Sequence, residues 1–481
     1  EEVAGVRDVK VSKSKLRVGF KGFVNSTDDG VLDMAYTDKA YNFAFENGVL
    51  TGGIGIDPAA GYYLEPKVTR HAYPEMPSGK KIKDVFLYRR VNAEGEHDDR
   101  ILAQLIDGQF YYTSVFKTDT WHAIDTFITT ADVSAVNYNY KGKDMLLFAT
   151  GKNLLLILDD TTPYVLMDTP KFTSLAVHNE RIYAGVNGTN NQVWFSDDFD
   201  PTNWNVSADE GGYINFSDEC GEVLKVVSFL NYLYIFREYG IFRLTAYGDQ
   251  NEFLLKKVFT DTGRIVKSSI EVCGDKIIFY AEDGLFAFDG YEVTRIAKEL
   301  MPTDRKNLMS GAYLDGCYYL ACNIWESSSL NNAVVRYSLL DKSISVLYGY
   351  AVKSLKAIRV HNGSQVLCVF ASGDNMNKLG MLSRSGSVMG NPTKKRYVSP
   401  YGTMFSSSLK TVRNVSLITS TPLTLTVKLD GKRYDYKVNG SEYMQTIPIE
   451  KCGCRVGFEL ACDSADAYVT PLGVSLDKIS I

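Results

Sequence analysis

The feature that most constrains this fold is a short scheme of strand, turn, strand, turn and strand. Residues 221–247 hold three runs rich in β-branched and aromatic residues, at 223–229, 232–237 and 240–245, with turn residues between them. Turn-formers at such short intervals are typical of antiparallel hairpins. One meander of this kind buries too little apolar surface to be stable alone, so the pattern predicts similar neighbours.

The same scheme recurs along the middle of the chain. Occurrences begin near Val85, Val136, Phe172, Val223, Val266, Leu308 and Leu355. Successive starts lie about 35 to 50 residues apart, which is the period of a propeller blade of three to four antiparallel strands. The repeat therefore predicts an all-β chain with a β-propeller of about six or seven blades over 81–390. Asp283-Gly284 and Asp289-Gly290 predict two of its turns.

The residues before and after the repeat follow different sequence patterns. Residues 1–80 predict an N-terminal strand or arm segment, with a hairpin turn at Asn47-Gly48. Residues 398–481 alternate between apolar and polar side chains and predict a C-terminal β-sandwich with one solvent-exposed face. The Gly- and Ser-rich stretch 385–397 is the predicted linker, and the best helix candidate, 296–309, is limited to a turn or two by its proline.

Charge and composition exclude some classes of protein. The net charge is −5, and the 52 basic and 57 acidic side chains are mixed along the chain, which argues against a tight electrostatic grip on nucleic acid. No apolar run approaches the roughly 20 residues of a membrane helix. The eight cysteines are dispersed among apolar residues and predict buried free thiols, and Cys452, Cys454 and Cys462 lack the partners of a metal site.

Candidate catalytic groups have simpler structural explanations. The acid pairs lie in turn-like contexts, where aspartate caps backbone amides: Asp98-Asp99, Asp159-Asp160 and Asp197-Asp198. The stretch 196–204 matches the sialidase Asp box at Ser196, Asp198 and Thr202. Asp200 replaces its glycine, however, and Trp204 comes one position late. A folded turn accounts for it.

No other signature of catalysis is present. Five isolated histidines occur without a nucleophile elbow, a phosphate loop or a zinc-binding helix: His71, His97, His122, His178 and His361. Adjacent tyrosines such as Tyr111-Tyr112 and Tyr318-Tyr319 point to opposite faces of a strand. Arg237-Glu238 is interpreted as a solvated turn. We therefore predict no catalytic, cofactor-binding or metal-binding residues, no cofactor and no enzymatic activity.

Three stretches resemble one protein family. They are 193–204, which contains Trp194 and Trp204; 221–244, with its run of aromatic residues; and 272–290, which ends in Phe288-Asp289-Gly290. Together they resemble the tail-hub or nozzle proteins of short-tailed bacteriophages, also called packaged-DNA stabilisation or head–tail connector proteins. The similarity extends over about residues 20–481, including the N-terminal segment 33–53, and the chain lacks room for the insertions of larger nozzle proteins.

The resemblance implies a virion structural protein assembled in the bacterial host cytoplasm. It implies a homo-oligomeric ring, commonly a hexamer, below the portal and adaptor. Such a ring retains and guides packaged DNA without sequence-specific binding and docks fibre or needle proteins. Two alternatives remain at this point: a glycan-binding or glycan-cleaving propeller of the sialidase kind, and a cellular interaction scaffold.

Overall fold

The computed structural model is almost entirely β-strand. It describes residues 10–25, 33–63, 69–159, 162–188, 191–207, 210–248, 250–260, 263–282, 284–303, 308–360, 363–403 and 407–480. Its helical residues in these ranges are two 3₁₀ turns, Gln250–Glu252 and Lys267–Ser269, and the single 3₁₀ residue Leu308. The predicted all-β class is confirmed. Within 296–309, where the sequence predicts a helix of a turn or two, Leu308 is a 3₁₀ residue and residues 304–307 lie outside the described ranges. Asp160, Asp283 and His361 lie outside the described residues.

Nine short strands precede the repeats: β1 (Lys10–Val18), β2 (Gly22–Phe23), β3 (Tyr36–Thr37), β4 (Lys39–Tyr41), β5 (Ala44–Glu46), β6 (Val49–Thr51), β7 (Gly55–Pro58), β8 (Ala60–Tyr63) and β9 (Thr69–Ala72). β8 pairs with β9, and β2 pairs with β3. The predicted turn joins β5 to β6, with positive φ at both Asn47 and Gly48, as the hairpin pattern requires.

Seven antiparallel sheets follow, which we call blades 1 to 7. Blade 1 consists of β10 (Ile82–Tyr88), β11 (Arg100–Leu105), β12 (Gln109–Ser114) and β13 (His122–Ile128), and blade 2 of β14 (Ser134–Tyr140), β15 (Lys143–Ala149), β16 (Leu154–Asp159) and β17 (Thr162–Met167). Blade 3 consists of β18 (Phe172–His178), β19 (Arg181–Val186), β20 (Gln192–Phe195) and β21 (Gly212–Asn215), and blade 4 of β22 (Val223–Phe229), β23 (Tyr232–Arg237), β24 (Gly240–Thr245) and β25 (Leu254–Thr260). Each pairs its strands in sequence order.

Blades 5 to 7 continue the scheme. Blade 5 consists of β26 (Glu271–Cys273), β27 (Lys276–Ala281), β28 (Gly284–Phe288) and β29 (Val293–Ile296), and blade 6 of β30 (Ser310–Leu314), β31 (Cys317–Cys322), β32 (Ala333–Ser338) and β33 (Ile344–Tyr348). Blade 7 contains β34 (Val352–Val360), β35 (Gly363–Phe370) and β36 (Leu379–Ser383), with the short β37 (Ser387–Val388) and β38 (Asn391–Pro392). The fourth strand of blade 7 is β7, which pairs antiparallel with β36. The last blade is therefore completed by the N-terminal segment.

The blades close into a ring. Buried apolar residues of each blade form a cluster with those of the next, from blade 1 through blade 7. A further cluster joins blade 7 to blade 1, where Ile358 and Leu367 pack with Val85 and Ala103. The described residues therefore form a seven-bladed propeller, within the six or seven predicted.

The meander that defined the repeat has the predicted bounds. β22, β23 and β24 coincide with the three runs read from the sequence. The β22–β23 turn has positive φ at both Leu230 (46°) and Asn231 (62°), the two-residue turn that suits the twist of a hairpin.

Two further sheets form the predicted C-terminal sandwich. Its C-terminal strands are β39 (Lys395–Val398), β40 (Lys410–Thr419), β41 (Leu423–Leu429), β42 (Lys432–Val438), β43 (Ser441–Gly453), β44 (Val456–Cys462), β45 (Tyr468–Val469) and β46 (Leu472–Ser480). One sheet runs β1-β46-β40-β45-β6-β5, with β43 also on β40, and the other runs β4-β39-β44-β41-β42. The segment expected as an N-terminal arm thus supplies strands to both sheets, because its apolar residues are needed to cover the sandwich core.

The N-terminal segment also contacts blade 6. Trp325 Nε1 donates to the Asp38 carbonyl oxygen at 2.9 Å, and Arg336 Nη1 lies 3.0 Å from Glu46 Oε1. Buried residues of blades 5 and 6, the N-terminal segment and the sandwich form one continuous apolar cluster. Propeller and sandwich therefore share a core.

The interpretation of Arg237 as part of a solvated turn is wrong. The side chain is fully buried, donates to the Gly221 carbonyl oxygen, and places Nη1 2.5 Å from Asp218 Oδ1. Its guanidinium also lies over the rings of Phe216 and Phe242. The neighbouring Glu238 is only 16% exposed and pairs with Arg264 at 2.6 Å. The chain before blade 4 folds back over the strand end and removes the arginine from water.

Candidate functional site

The ring surrounds a channel lined by the first strand of each blade. These inner strands are β10, β14, β18, β22, β26, β30 and β34, and most neighbouring pairs of them are in contact. They run in the same sense, so we call the end where they begin the entry face and the opposite end the exit face. Serine hydroxyls on three inner strands accept backbone N–H groups of the next inner strand: Ser134 from Leu175, Ser174 from Val226 and Ser310 from Leu355.

Bulges recur where the inner strands begin. Four inner strands carry one extra residue at this point: Lys83 in blade 1, Thr173 in blade 3, Leu224 in blade 4 and Lys353 in blade 7. A bulge re-aims side chains and increases the local twist. The repeated bulge therefore places the side chains of successive blades around the entry opening.

Four charged side chains lie at this opening, and we call them the mouth cluster: Lys83, Asp132, Lys267 and Lys353. Lys83 Nζ lies 2.8 Å from Asp132 Oδ1. Lys267 reaches from blade 5 to blade 3, where its Nζ donates to the Thr173 carbonyl oxygen at 2.6 Å. The Asp132 carboxylate is close enough to all three ammonium groups for their charges to lower its pKa, with the hydrogen bond from Lys83 contributing most.

A second charged group lies deeper in the channel. Lys356 Nζ pairs with Asp84 Oδ2 at 3.0 Å, and Lys225 Nζ donates to the Ile270 carbonyl oxygen at 2.6 Å. Burial raises the pKa of Glu271, whereas the charges of Lys225 and Lys356 act to lower it. Two lysines thus face two carboxylates at this depth, and their formal charges balance.

The exit face holds an open polar cavity of about 440 Å³. Its ionisable lining residues are Arg89, Arg90, His97, Asp99, Asp144 and Arg359. Both carboxylates already accept backbone hydrogen bonds. Asp99 accepts one from the Arg90 N–H at 3.1 Å, and Asp144 accepts one from the Val91 N–H at 2.8 Å. Burial raises the pKa of Asp99. The acids therefore support the β10–β11 connection, while two arginines face the open space.

The Asp-box-like stretch, with the pair Asp197-Asp198, occupies a turn, as expected. Asp98 and Asp99 lie in the β10–β11 connection, whereas Asp159 is the last residue of β16. Asp198 Oδ1 pairs with Arg181 Nε at 2.6 Å, and the buried Ser196 hydroxyl accepts the Ile182 N–H. Asp200 accepts the Thr202 hydroxyl at 2.6 Å. These bonds hold the β20–β21 connection in its folded conformation.

The histidines are spread over the molecule. His71 lies 3.1 Å from the Val115 carbonyl oxygen, His122 pairs with Asp119 at 2.9 Å, and His178 bonds Ser228 at 2.8 Å. His97 alone lines the exit-face cavity. Within the described ranges no three metal-binding side chains cluster together.

The expected burial of the cysteines is largely confirmed. Six of the eight thiols are buried, whereas Cys452 is exposed and Cys454 is half-buried. Tyr318 and Tyr319 are both buried, so neither presents a ring to a ligand. No helix in the described part of the chain is long and apolar enough to cross a membrane.

The lysines of the channel were missed by the sequence reading. A signal for them exists, since a polar pair precedes an apolar residue at the start of several inner strands: Lys83-Asp84-Val85, Thr173-Ser174-Leu175 and Lys353-Ser354-Leu355. Only the ring topology shows that these polar pairs, which belong to different blades, lie around the same opening.

Comparisons with known proteins add little to this geometry. No family model matches the chain, and no curated protein matches it. Among solved structures, BBS1N in complex with ARL6DN is 12% identical over 63% of this chain and 96% of that chain, with a TM-score of 0.41. Chaetomium thermophilum Raptor is 10% identical over 65% of this chain and 29% of that chain, also at 0.41. BamB from Moraxella catarrhalis is 11% identical over 78% and 99%, at 0.35. TM-scores this low carry no argument about function.

Proposed function

We propose that this chain is a non-enzymatic structural protein of a short-tailed phage virion. In this proposal it forms part of a hexameric tail-hub or nozzle ring below the portal and adaptor, retains and guides packaged DNA, and docks fibre or needle proteins. The coarser statement rests on the fold: the chain is a β-propeller scaffold joined to a β-sandwich.

One observation carries the finer proposal. The three stretches with family resemblance, 193–204, 221–244 and 272–290, fall in blades 3, 4 and 5, which are consecutive and share buried clusters. They therefore form one continuous part of the ring. The net charge of −5 also suits a component that lets DNA pass without holding it.

Electron microscopy tests this proposal. The purified chain, alone and mixed with portal and adaptor proteins of a candidate phage, is imaged, and virions are labelled with an antibody to the chain. We expect sixfold rings and a label at the tail. A strictly monomeric particle together with unlabelled tails contradicts the proposal.

The exit-face cavity favours a second candidate, a glycan-binding propeller. Arg89 and Arg359 suit acidic sugars, because a guanidinium binds a carboxylate through two parallel hydrogen bonds. Binding to acidic polysaccharides is measured for the wild type and for Arg359→Gln. A several-fold loss of affinity in the variant supports this candidate, and unchanged affinity removes it. Polysaccharide cleavage that disappears in Asp144→Asn would extend it to an enzyme.

A further inference from the structure

A separate cavity lies at the entry face, where blade 7 meets blades 1 and 6, and we call it the seam cavity. Ile82 and Ile106 of blade 1, Leu308 and Leu330 beside the strands of blade 6, and Phe370 of blade 7 line one space of about 210 Å³. A water molecule takes up about 30 Å³ in the liquid, so the space holds a group of about seven non-hydrogen atoms. That is the size of one large amino-acid side chain.

The walls of the seam cavity are mainly apolar and partly open to solvent. Ile106, Leu308 and Leu330 are 48%, 38% and 36% exposed, whereas Ile82 and Phe370 are buried. A single exposed apolar side chain needs no explanation, but several around one concave space mark a binding site. An apolar group that enters this space removes all three side chains from water, which favours its binding.

Lys353 supplies a cation to the lining of the same cavity. The charged groups that act on it are Lys83, Asp132 and Asp84. Both carboxylates already have partners, because Asp132 lies 2.8 Å from Lys83 Nζ and Asp84 lies 3.0 Å from Lys356 Nζ. The exposed Lys353 ammonium group is therefore the remaining cation of this group, and it suits an anionic group of a ligand.

Asn331 adds an unused hydrogen-bond acceptor to the lining. Its side chain is only 3% exposed, and its Nδ2 donates to the Leu308 carbonyl oxygen at 2.7 Å and to the Val352 carbonyl oxygen at 3.0 Å. These two bonds fix the amide, and its buried Oδ1 accepts no hydrogen bond in the described part of the chain. A buried acceptor without a donor is costly, so an N–H group of a ligand is favoured here.

We propose that the seam cavity binds an N-acylated apolar amino acid with a free α-carboxylate. Its side chain occupies the apolar space, its carboxylate pairs with Lys353, and its amide N–H donates to Asn331 Oδ1. One residue carries all three groups on adjacent atoms. The ligand is a small N-acyl amino acid or the last residue of a polypeptide. This site is independent of the tail-hub proposal.

Titration of the full chain, followed by NMR signals of the ligand, tests the apolar space. N-acetylglycine, which has no side chain, is expected to bind at least about tenfold more weakly than N-acetyl-leucine. Ala371 also lines the cavity, so Ala371→Phe fills it and should weaken N-acetyl-leucine binding by more than about tenfold. Ala123→Phe, at an exposed position on β13, is the matched control and leaves the affinity unchanged. Equal affinities for the two ligands, or wild-type affinity in Ala371→Phe, overturn the proposal.

A comparison of two ligands on each protein tests Lys353 without interference from misfolding. N-acetyl-leucinamide lacks the carboxylate, so we expect the wild type to bind it about threefold more weakly than N-acetyl-leucine, as for a solvent-exposed ion pair. This preference for the acid should disappear in Lys353→Gln. It should persist in Lys432→Gln, which removes an exposed lysine of the sandwich. An undiminished preference in Lys353→Gln contradicts the assigned position of the carboxylate.

The hydrogen bond to Asn331 is tested by changing the ligand. A substitution of Asn331 would also free the carbonyl groups of Leu308 and Val352, so its effect would be ambiguous. In 2-acetoxy-4-methylpentanoate an ester oxygen replaces the amide N–H of N-acetyl-leucine. We expect it to bind about three- to tenfold more weakly, because Asn331 Oδ1 then faces no donor. Equal affinity of the two ligands contradicts this role of Asn331.

Two probes distinguish the sources of the ligand. Tighter binding of an acetylated tetrapeptide that ends in leucine than of N-acetyl-leucine indicates the end of a polypeptide. The reverse order indicates a small N-acyl amino acid. Failure of both probes to bind the wild-type chain overturns the proposal.

Discussion

Arg237 holds together the start and the second strand of blade 4. Its guanidinium is fully buried and bonds Gly221 and Asp218. We expect Arg237→Met to lower the free energy of unfolding by about 2–4 kcal/mol, because the variant leaves a buried carbonyl and a carboxylate without their donor. Urea denaturation measures the loss. Arg384→Met is the control: its side chain is 63% exposed and 3.6 Å from Glu46, so little change is expected. Equal effects in the two variants would contradict this account.

His178 makes the stability depend on pH. Its ring is buried, its Nδ1 bonds Ser228, and its Nε2 has no partner among the described residues, so burial lowers its pKa below the usual 6.5. Below pH 6.5 the unfolded chain takes up a proton that the folded chain resists, so stability falls as pH falls. We expect a smaller loss of stability between pH 7 and pH 5 in His178→Gln than in the wild type, measured by denaturation at each pH. Parallel curves for the two proteins would exclude this role.

Residues that act through distant partners could not be predicted from the sequence. Arg237 stands at the end of a strand, where a solvated turn is the ordinary expectation, and its burial depends on the chain around Asp218 folding back. Lys267 and Lys353 each look like a surface lysine. Both help to lower the pKa of Asp132 only because blades 5 and 7 belong to the same ring.

The elements themselves were predictable where their contacts are local. β22 to β24 have the predicted bounds because β-branched runs and tight turns fix hairpins over short distances. The pairing of β7 with β36 joins residues near opposite ends of the chain, and no local pattern specifies it. For the same reason, strands of the N-terminal segment could be predicted but not the sheets they would enter.

The contribution of β7 to closing the propeller ring can be tested by a substitution in this strand. Ile56 is fully buried between β36 and β37, packed among residues of blades 6 and 7. We expect Ile56→Ala to cost about 2–4 kcal/mol and to speed proteolysis within blade 7, because it leaves a cavity at the seam of the ring. Ile106→Ala is the matched control, since Ile106 is 48% exposed. A loss no larger than in the control would mean that β7 adds little to ring closure.

For the whole molecule, the shared core predicts how the propeller and the sandwich unfold. One apolar cluster runs from blades 5 and 6 through the N-terminal segment into the sandwich. Trp325 lies at this junction, with its ring 5.6 Å from Phe23 and 5.0 Å from Tyr348 between centroids. We therefore expect the wild-type chain to unfold in a single calorimetric transition.

Trp325→Ala is expected to weaken this coupling, because it removes the ring contacts and the hydrogen bond to Asp38. The calorimetric transition should then broaden or split, with the sandwich and the propeller unfolding at different temperatures. Tyr443→Ala removes an aromatic ring that is 80% exposed on β43, so it serves as the control and should leave one transition. Two transitions in the wild type, or an unchanged single transition in Trp325→Ala, would show that the shared cluster does not couple the two units. Coupling through this junction would fix the orientation of the sandwich relative to the propeller, which a repeating ring of such chains requires.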